Sequence, residues 1–280
     1  MTIEIVRTVD EVRRFSRLAS ESGKTVALVP TMGGLHEGHL SLVEVARQTA
    51  DVVIVSLFVN PTQFNNPEDL ETYPGNEADD IQSLRDTGTN LLFAPTASEM
   101  YPKGFATHVS VSAAKEILCD AFRPGHFEGV ATIVAKLFMQ VEPDFACFGE
   151  KDYQQLFIIR TMVRDLNLPV EIVPCKTVRE EDGLALSSRN ARLSIANRKI
   201  APQLNAAMRE AADHIRNGKN PLDACTTAVN NLENNSTFNV EYLQYRSGET
   251  LSELQKYEKN GRLFAGAWLG DVRLIDNLPV

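Results

Sequence analysis

The sequence predicts an α/β domain with a parallel sheet over residues 1–176, followed by a smaller α+β domain over residues 177–280. In the first part, short apolar runs alternate with helical repeats. Near-continuous apolar runs are typical of parallel strands that helices cover on both faces. In the second part the order changes, because helical patterns come first and strand patterns cluster after them.

Composition restricts the class of protein. The 280 residues suffice for one large or two modest domains, and 43% hydrophobic with 23% charged residues is ordinary for a globular protein. A net charge of −9 argues against a nucleic-acid partner. The four cysteines are widely spread, the start lacks a signal-peptide core, and no apolar run approaches a membrane span. We therefore expect a cytoplasmic protein without disulfides, zinc or a membrane partner.

The first elements form a strand–helix–strand unit. Apolar residues at helical spacing predict a helix from Val9 to a stop at Gly23. Buried strands are predicted at Val26–Val29 and Asp51–Val59, and the helix between them begins near His36. Such a βαβ unit is expected to be right-handed.

The remaining elements follow from the same patterns. The first part is completed by a helix beginning with Ile81 and Leu84, strands at 90–95, 109–111, 144–148 and 170–174, and helices at 134–141 and 153–166. The second part has predicted helices at 195–216 and 222–232 and strands at 240–245, 262–268 and 272–275. The proline-punctuated stretch 60–80 is predicted to be a functional loop or lid.

The glycine turn after the first strand is the strongest candidate site. A strand that passes through Gly33-Gly34 into a helix is expected to leave free backbone amides at the helix N-terminus, where the dipole attracts anions. His36 and His39 are three apart, so both rings should point to one side. Such a turn alone is usually only a turn. The full His-x-Gly-His pattern resembles the signature of the nucleotidylyl-transferase superfamily, whose histidines contact ATP phosphates.

Polar side chains also follow two other strands of the predicted sheet. Asn60 and Gln63 follow the strand at 51–59, and Lys151 and Gln155 follow the strand at 144–148. Ligands of parallel sheets bind beyond the carboxyl ends of the strands, which favours a functional role for Lys151 over a surface lysine in a helix cap. For an isolated glutamine, a cap on nearby backbone groups is the commoner role.

Six segments together resemble the pantothenate synthetase (pantoate–β-alanine ligase) family, and the resemblance covers essentially the whole chain. They are Pro30–His39, Phe58–Phe64, Phe122–Val130, Phe148–Gln155, Leu186–Asn190 and Arg273–Asn277. Leu186 and Gly34 depart conservatively from the family pattern, where methionine and alanine or asparagine are common. The resemblance implies an ATP-dependent ligase that joins pantoate to β-alanine through a pantoyl-adenylate, releasing AMP and pyrophosphate. It also implies a Rossmann-like N-terminal domain, a C-terminal lid over the ATP site, Mg²⁺ and a homodimer.

The resemblance also assigns roles to individual residues. The implied ATP contacts are Met32, Gly33, Gly34, Leu35, His36, Glu37, Gly38, His39, Gly149, Glu150, Lys151, Asp152, Val178, Leu186, Ser187, Ser188 and Arg189. Within this set His36, His39, Lys151 and Arg189 are the catalytic candidates, with His39 in the place of a proton donor. Gln63, Gln155 and Asn60 are the candidate substrate contacts, for pantoate and, at Gln63, β-alanine.

Some interpretations remain open on the residues alone. Asp79 and Asp80 are candidate metal ligands, but a solvated helix start is slightly favoured for them. Arg189 fits a loop position or a functional one equally well, and His126 is interpreted as a turn cap. A nucleotidyltransferase shares the His-x-Gly-His pattern but leaves the glutamine motifs unexplained, and the acidic balance disfavours a tRNA synthetase. The non-enzymatic alternative is a module that binds ATP without turnover.

Overall fold

The computed structural model describes residues 3–65, 70–71, 73, 75–235 and 237–280. Within the predicted loop at 60–80, residues 66–69, 72 and 74 lie outside the described part. The chain divides into two compact units. Unit 1 comprises Met1–Lys115, Arg123–Glu150 and Gln155–Lys176, and unit 2 comprises Glu116–Phe122, Lys151–Gln154 and Thr177–Val280. Two short segments that precede residue 176 therefore belong to unit 2.

Unit 1 is built on a six-stranded parallel sheet. Strands β1 to β6 are Glu4–Val6, Val26–Thr31, Val52–Leu57, Leu91–Phe93, Phe145–Gly149 and Glu171–Cys175. Their order in the sheet is β1-β4-β3-β2-β5-β6, so the order reverses between β2 and β5. In such doubly wound sheets, ligands bind outside the carboxyl ends of the strands at the reversal point. This architecture confirms the predicted Rossmann-like α/β domain.

Helices connect these strands. Along the chain they are α1 Val9–Glu21, α2 Glu37–Thr49, α3 Glu77–Leu84, α4 Ala97–Met100, α5 Cys119–Phe122, α6 His126–Val141 and α7 Tyr153–Asp165. A capping box formed by Thr8 and Glu11 starts α1, which satisfies two of the unpaired amides at its N-terminus. Most side chains of α6 are buried, and α2 links the central strands β2 and β3. Of the helices that the structure describes, none combines the length and apolarity that a membrane crossing requires.

Unit 2 has its own core. Helices α8 Ile195–Ile200, α9 Gln203–Arg216 and α10 Pro221–Asn235 precede the antiparallel sheet β7-β8-β9, with strands Phe238–Ser247, Gly261–Leu269 and Val272–Pro279. The buried apolar side chains of α9, such as Met208 and Ile215, share one cluster with Leu263 and Ala267 of β8. Helices followed by strands form the smaller α+β arrangement that the sequence predicts.

Three sequence predictions differ from the structure. Residues 109–111 form no strand; the Val109 amide instead donates to Thr132 Oγ1 at 2.9 Å, and Val111 precedes a 3₁₀ turn. The helix predicted over 195–216 is divided after Ile200, because Pro202 lacks the amide that a continuous helix needs. Ile81 and Leu84 lie towards the end of α3 rather than at its beginning, since Asn76 caps it earlier.

Two further differences concern strands. The sequence patterns do not predict β1, which is only three residues long and whose burial is confined to Val6. The strand predicted at Val26–Val29 continues to Thr31, so Pro30 lies inside β2, opposite Ser56 in parallel register.

Candidate functional site

The turn between β2 and α2 is held by a buried aspartate. Asp80 of α3, 4% exposed, accepts hydrogen bonds from the amides of Gly34 at 3.0 Å and Leu35 at 2.7 Å. Gly33 and Gly34 have φ values of +84° and +63°, which favour glycine. A Cβ at Gly33 would also lie 2.9 Å from Asp80 Oδ2. Glycine is therefore required at this position for both backbone angle and space.

These contacts correct one expectation about anion binding. The sequence predicts free amides after the glycine turn, but Asp80 accepts from two of them. The amide of Gly38 donates to His36 Nδ1 at 3.1 Å. The hydrogen bonds of these three amides are already made, so none of the three is left free for a phosphate.

The two histidines of this turn lie side by side. His36 caps α2 and His39 lies in its first turn, with ring centroids 4.1 Å apart. Nδ1 of each ring accepts a backbone amide, from Gly38 to His36 and from His36 to His39 at 3.4 Å. A neutral imidazole whose Nδ1 accepts carries its proton on Nε2. Both rings in the neutral state are therefore Nε2–H donors.

A hydrogen-bonded relay fixes the orientation of the Gln63 amide. Asn60 is 1% exposed; its Oδ1 accepts the Thr62 amide at 3.4 Å, and its Nδ2 donates to the carbonyl of Gly129 at 3.2 Å. These two backbone groups assign the positions of the oxygen and the nitrogen in the Asn60 side-chain amide. Asn60 Nδ2 also donates to Gln63 Oε1 at 2.9 Å. Gln63 therefore directs its donor Nε2 away from Asn60, where it lies 2.9 Å from Met32 Sδ.

Tyr101 completes this relay. Its hydroxyl donates to Asn60 Oδ1 at 2.7 Å and lies 3.3 Å from Thr62 Oγ1. Burial raises the pKa of Tyr101, so its hydroxyl remains a protonated donor near neutral pH. Its ring packs against Phe58 and Phe105, with centroid separations of 6.2 and 5.0 Å. No spacing in the sequence connects Tyr101 with Asn60, so its role could not be predicted from the sequence.

The backbone of Gln63 is held by the start of α6. His126, 8% exposed, accepts from Arg123 at Nε2 and donates from Nδ1 to the Gln63 carbonyl at 2.8 Å. A Cβ at Gly129 would lie 2.5 Å from the Thr62 carbonyl oxygen. His126 is thus more than the turn cap predicted for it. Its place in the matching segment Phe122–Val130 was the available signal.

Unit 2 contains the second group of predicted ATP contacts. Lys151 and Asp152 lie in the 3₁₀ turn Glu150–Asp152, with Lys151 Nζ 3.8 Å from Asp152 Oδ2 and the lysine side chain 19% exposed. Leu186 donates its amide to the Val178 carbonyl at 3.0 Å, which closes a hairpin. The Ser187 hydroxyl accepts the Arg189 amide at 3.3 Å and caps the turn Ser188–Arg192. The candidates from 186 to 189 therefore lie at the end of the hairpin 178–186 and in the turn directly after it.

The remaining candidates lie at strand and helix ends. Gly149 ends β5 and Glu150 follows it, while Gln155 is half-buried in the first turn of α7.

The candidate metal ligand Asp79 is exposed on α3. In the described ranges no group of three His, Cys, Asp or Glu side chains is arranged to hold a metal ion. Since both Asp80 oxygens accept backbone amides, the Asp79–Asp80 pair fits a metal site poorly.

Comparison with known proteins decides the family. The model of the pantoate-beta-alanine ligase family matches residues 4–279. The chain belongs to this family. It is 50% identical over 280 residues to the pantothenate synthetase of Chelativorans sp. (strain BNC1), covering 100% of this chain and 99% of the relative. It is 52% identical over 279 residues to that of Caulobacter vibrioides, covering 99% and 98%.

Solved ligases of this family share the fold. The pantothenate synthetase of Thermus thermophilus superposes with a TM-score of 0.93 at 45% identity, covering 99% of both chains. The pantoate-beta-alanine ligase of Francisella tularensis, solved with beta-gamma ATP and beta-alanine, gives a TM-score of 0.83 at 35% identity, covering 99% of this chain and 97% of the other. Family membership, fold and ligase class thus agree with the resemblance found in the sequence.

Proposed function

We propose that this chain condenses pantoate with β-alanine to pantothenate, using ATP through a pantoyl-adenylate. Full-length membership of the pantoate–β-alanine ligase family carries the proposal. The complex of the Francisella relative with beta-gamma ATP and beta-alanine supports two of the three substrates. The side-by-side Nε2–H donors of His36 and His39 at the reversal point of the sheet fit phosphate binding.

In the first step, a carboxylate oxygen of pantoate attacks the α-phosphorus of ATP and pyrophosphate leaves. No protein nucleophile is required, so catalysis depends on positioning and on stabilising charge on the phosphoryl and leaving oxygens. His36 and His39 would donate to phosphate oxygens from Nε2. Lys151 and Arg189 would supply positive charge to ATP phosphates.

Pantoate would be oriented by the relay around Gln63. Because Asn60 occupies Oε1, Gln63 offers its Nε2 donor to a substrate oxygen. A neutral donor fits this task, since a cation would hold the carboxylate away from the α-phosphorus. Gln155 would provide a second amide, because β3 and β5 are parallel strands whose carboxyl ends share one edge of the sheet.

In the second step, the deprotonated amine of β-alanine attacks the acyl carbon of the adenylate. AMP leaves with the oxygen that came from pantoate, and the new amide bond is that of pantothenate.

Mg²⁺ would neutralise phosphate charge when it accompanies ATP, but Asp79 and Asp80 fit its binding poorly and carry no step here. The homodimer and the cytoplasmic location stay predictions; light scattering would report twice the 31.0 kDa chain mass for the dimer.

Pyrophosphate exchange across a panel of carboxylic acids tests this proposal. We expect labelled pyrophosphate to enter ATP with pantoate and Mg²⁺ and without β-alanine. Exchange that required β-alanine would rule out a free adenylate. Exchange with other acids but not with pantoate would assign a different substrate, and ATP binding without any exchange would favour the non-enzymatic module.

A further inference from the structure

The segment Arg273–Asn277 has no task in the proposed mechanism, although it is one of the six matching segments. It lies in β9, where Asp276 is 6% and Asn277 is 4% exposed. Buried polar groups are costly unless they are hydrogen-bonded, so their partners indicate what they hold in place.

Asn277 is bonded to the backbone of the predicted catalytic lysine. Its Oδ1 accepts from the guanidinium of Arg262, which can only donate. This contact orients Nδ2 towards the carbonyl of Lys151, to which it donates at 2.8 Å. The two residues are 126 positions apart in sequence. A residue of β9 therefore fixes the backbone of the Lys151 turn.

Further contacts attach the residues after Lys151 to unit 2. The Arg262 guanidinium stacks 4.0 Å from the ring centroid of Tyr153, and the Tyr153 hydroxyl donates to the Gly248 carbonyl at 3.2 Å. Gln154 accepts the amide of Cys119 at 2.9 Å. Although Lys151 follows closely after β5 in the chain, its local structure is determined by unit 2.

Asp276 holds the hairpin that precedes the other candidate cation. Both of its oxygens pair with Arg179, at 2.7 Å each, and Asn205 donates to Oδ2 at 2.9 Å. Arg179 also donates to the Gly183 carbonyl at 3.0 Å, inside the hairpin turn. Arg179 bridges Ala185, directly before the segment that ends at Arg189.

We propose that Asp276 and Asn277 are positioning residues of the adenylation step. They hold the Lys151 turn and the hairpin before Arg189 in fixed positions against β9. Successive residues of a strand point to opposite faces, so one strand can reach two separate segments. This inference rests on the proposed function, because it requires Lys151 and Arg189 to act on ATP.

Asn277→Asp tests the inference at the Lys151 turn. The change keeps the size of the side chain and its acceptor for Arg262, but it removes the donor and places an anionic oxygen against the Lys151 carbonyl. We expect the rate of pantoate-dependent pyrophosphate exchange to fall by about 10- to 100-fold. The KM for pantoate should not change, and the reaction of supplied pantoyl-adenylate with β-alanine should fall less. Asn239→Asp, the same change at an exposed position of β7, should behave like wild type.

Coupling to Lys151 separates positioning from a general structural role. In a Lys151→Ala background, Asn277→Asp should lower the residual rate by less than about 2-fold. An equal loss in both backgrounds, or a full rate in a folded Asn277→Asp enzyme, would overturn the inference. If Asn277→Asp does not fold, Asn277→Ala removes the same donor without the added charge and is judged by the same outcomes. Wild-type protein without pantoate-dependent exchange would instead overturn the proposed function.

Discussion

Replacing Tyr101 by Phe tests the relay that orients Gln63. The change removes the hydroxyl that donates to Asn60 Oδ1 at 2.7 Å and leaves the ring contacts with Phe58 and Phe105 in place. Asn60 Oδ1 still accepts the Thr62 hydroxyl at 2.9 Å, so it is not orphaned. The loss should therefore be that of one ordinary hydrogen bond, about 1 kcal/mol.

This energy predicts measurable changes in both binding and stability. If the relay acts on pantoate through Gln63, about 1 kcal/mol corresponds to an increase in pantoate KM of roughly 5-fold. The KM for ATP should stay unchanged, and Tm should fall by about 2–4 °C. Steady-state assays with pantoate varied at saturating ATP measure the first effect, and thermal unfolding measures the second.

A control and a double mutant distinguish the relay from general destabilisation. Tyr245→Phe removes a hydroxyl in unit 2 that donates to the Glu258 carbonyl at 3.0 Å, so it should lower Tm without changing pantoate KM. In a Gln63→Ala background, Tyr101→Phe should change pantoate KM by less than about 2-fold. An unchanged pantoate KM in Tyr101→Phe alone, or the same increase in both backgrounds, would refute the reasoning.

Three further predictions follow from the site and the core. His39→Ala and Lys151→Ala should each slow adenylation by at least about 10²-fold. The rate at which supplied pantoyl-adenylate reacts with β-alanine should fall less, and equal losses in both half-reactions would contradict these roles. Gln63→Glu replaces the Nε2 donor by an anionic oxygen, so pantoate KM should rise by roughly 10-fold or more; a rise in ATP KM alone would move Gln63 to the nucleotide site. Burial raises the pKa of Cys225 to about 12. The hydrogen bond between Cys147 and Cys175, together with burial, raises the pKa of Cys147, and the same bond lowers the pKa of Cys175. All four cysteines are free and buried, so a reagent in solution does not reach them in the native protein. An aromatic disulfide reagent at pH 8 should therefore react slowly with native protein and find four thiols after denaturation; rapid native reaction would show an exposed thiolate.

Local patterns were sufficient for much of the fold. The apolar runs of β2 and β3 predict a buried parallel sheet because both faces of these strands are covered. The spacing of His36 and His39 correctly places both rings side by side at the start of α2. Short elements are harder to find: β1 is not predicted, because its three residues carry almost no periodic signal.

Contacts between distant residues could not be predicted from local patterns. Asp80 reaches the glycine turn across 46 positions and uses the amides that the sequence leaves free. Tyr101 and Asn60 are 41 positions apart, and Asn277 and Lys151 are 126 apart. Each pair depends on how the chain packs rather than on spacing. The candidate substrate contacts are thus easier to find in the sequence than the residues that hold them.

Oxygen transfer from pantoate to AMP tests the central claim most directly. Pantoate labelled with ¹⁸O in its carboxylate is converted with β-alanine and ATP, and the AMP and pyrophosphate are analysed by mass spectrometry. Attack of the carboxylate on the α-phosphorus predicts one labelled oxygen in each AMP and none in pyrophosphate. Unlabelled AMP, or label in inorganic phosphate with ADP as the other product, would contradict an acyl-adenylate mechanism.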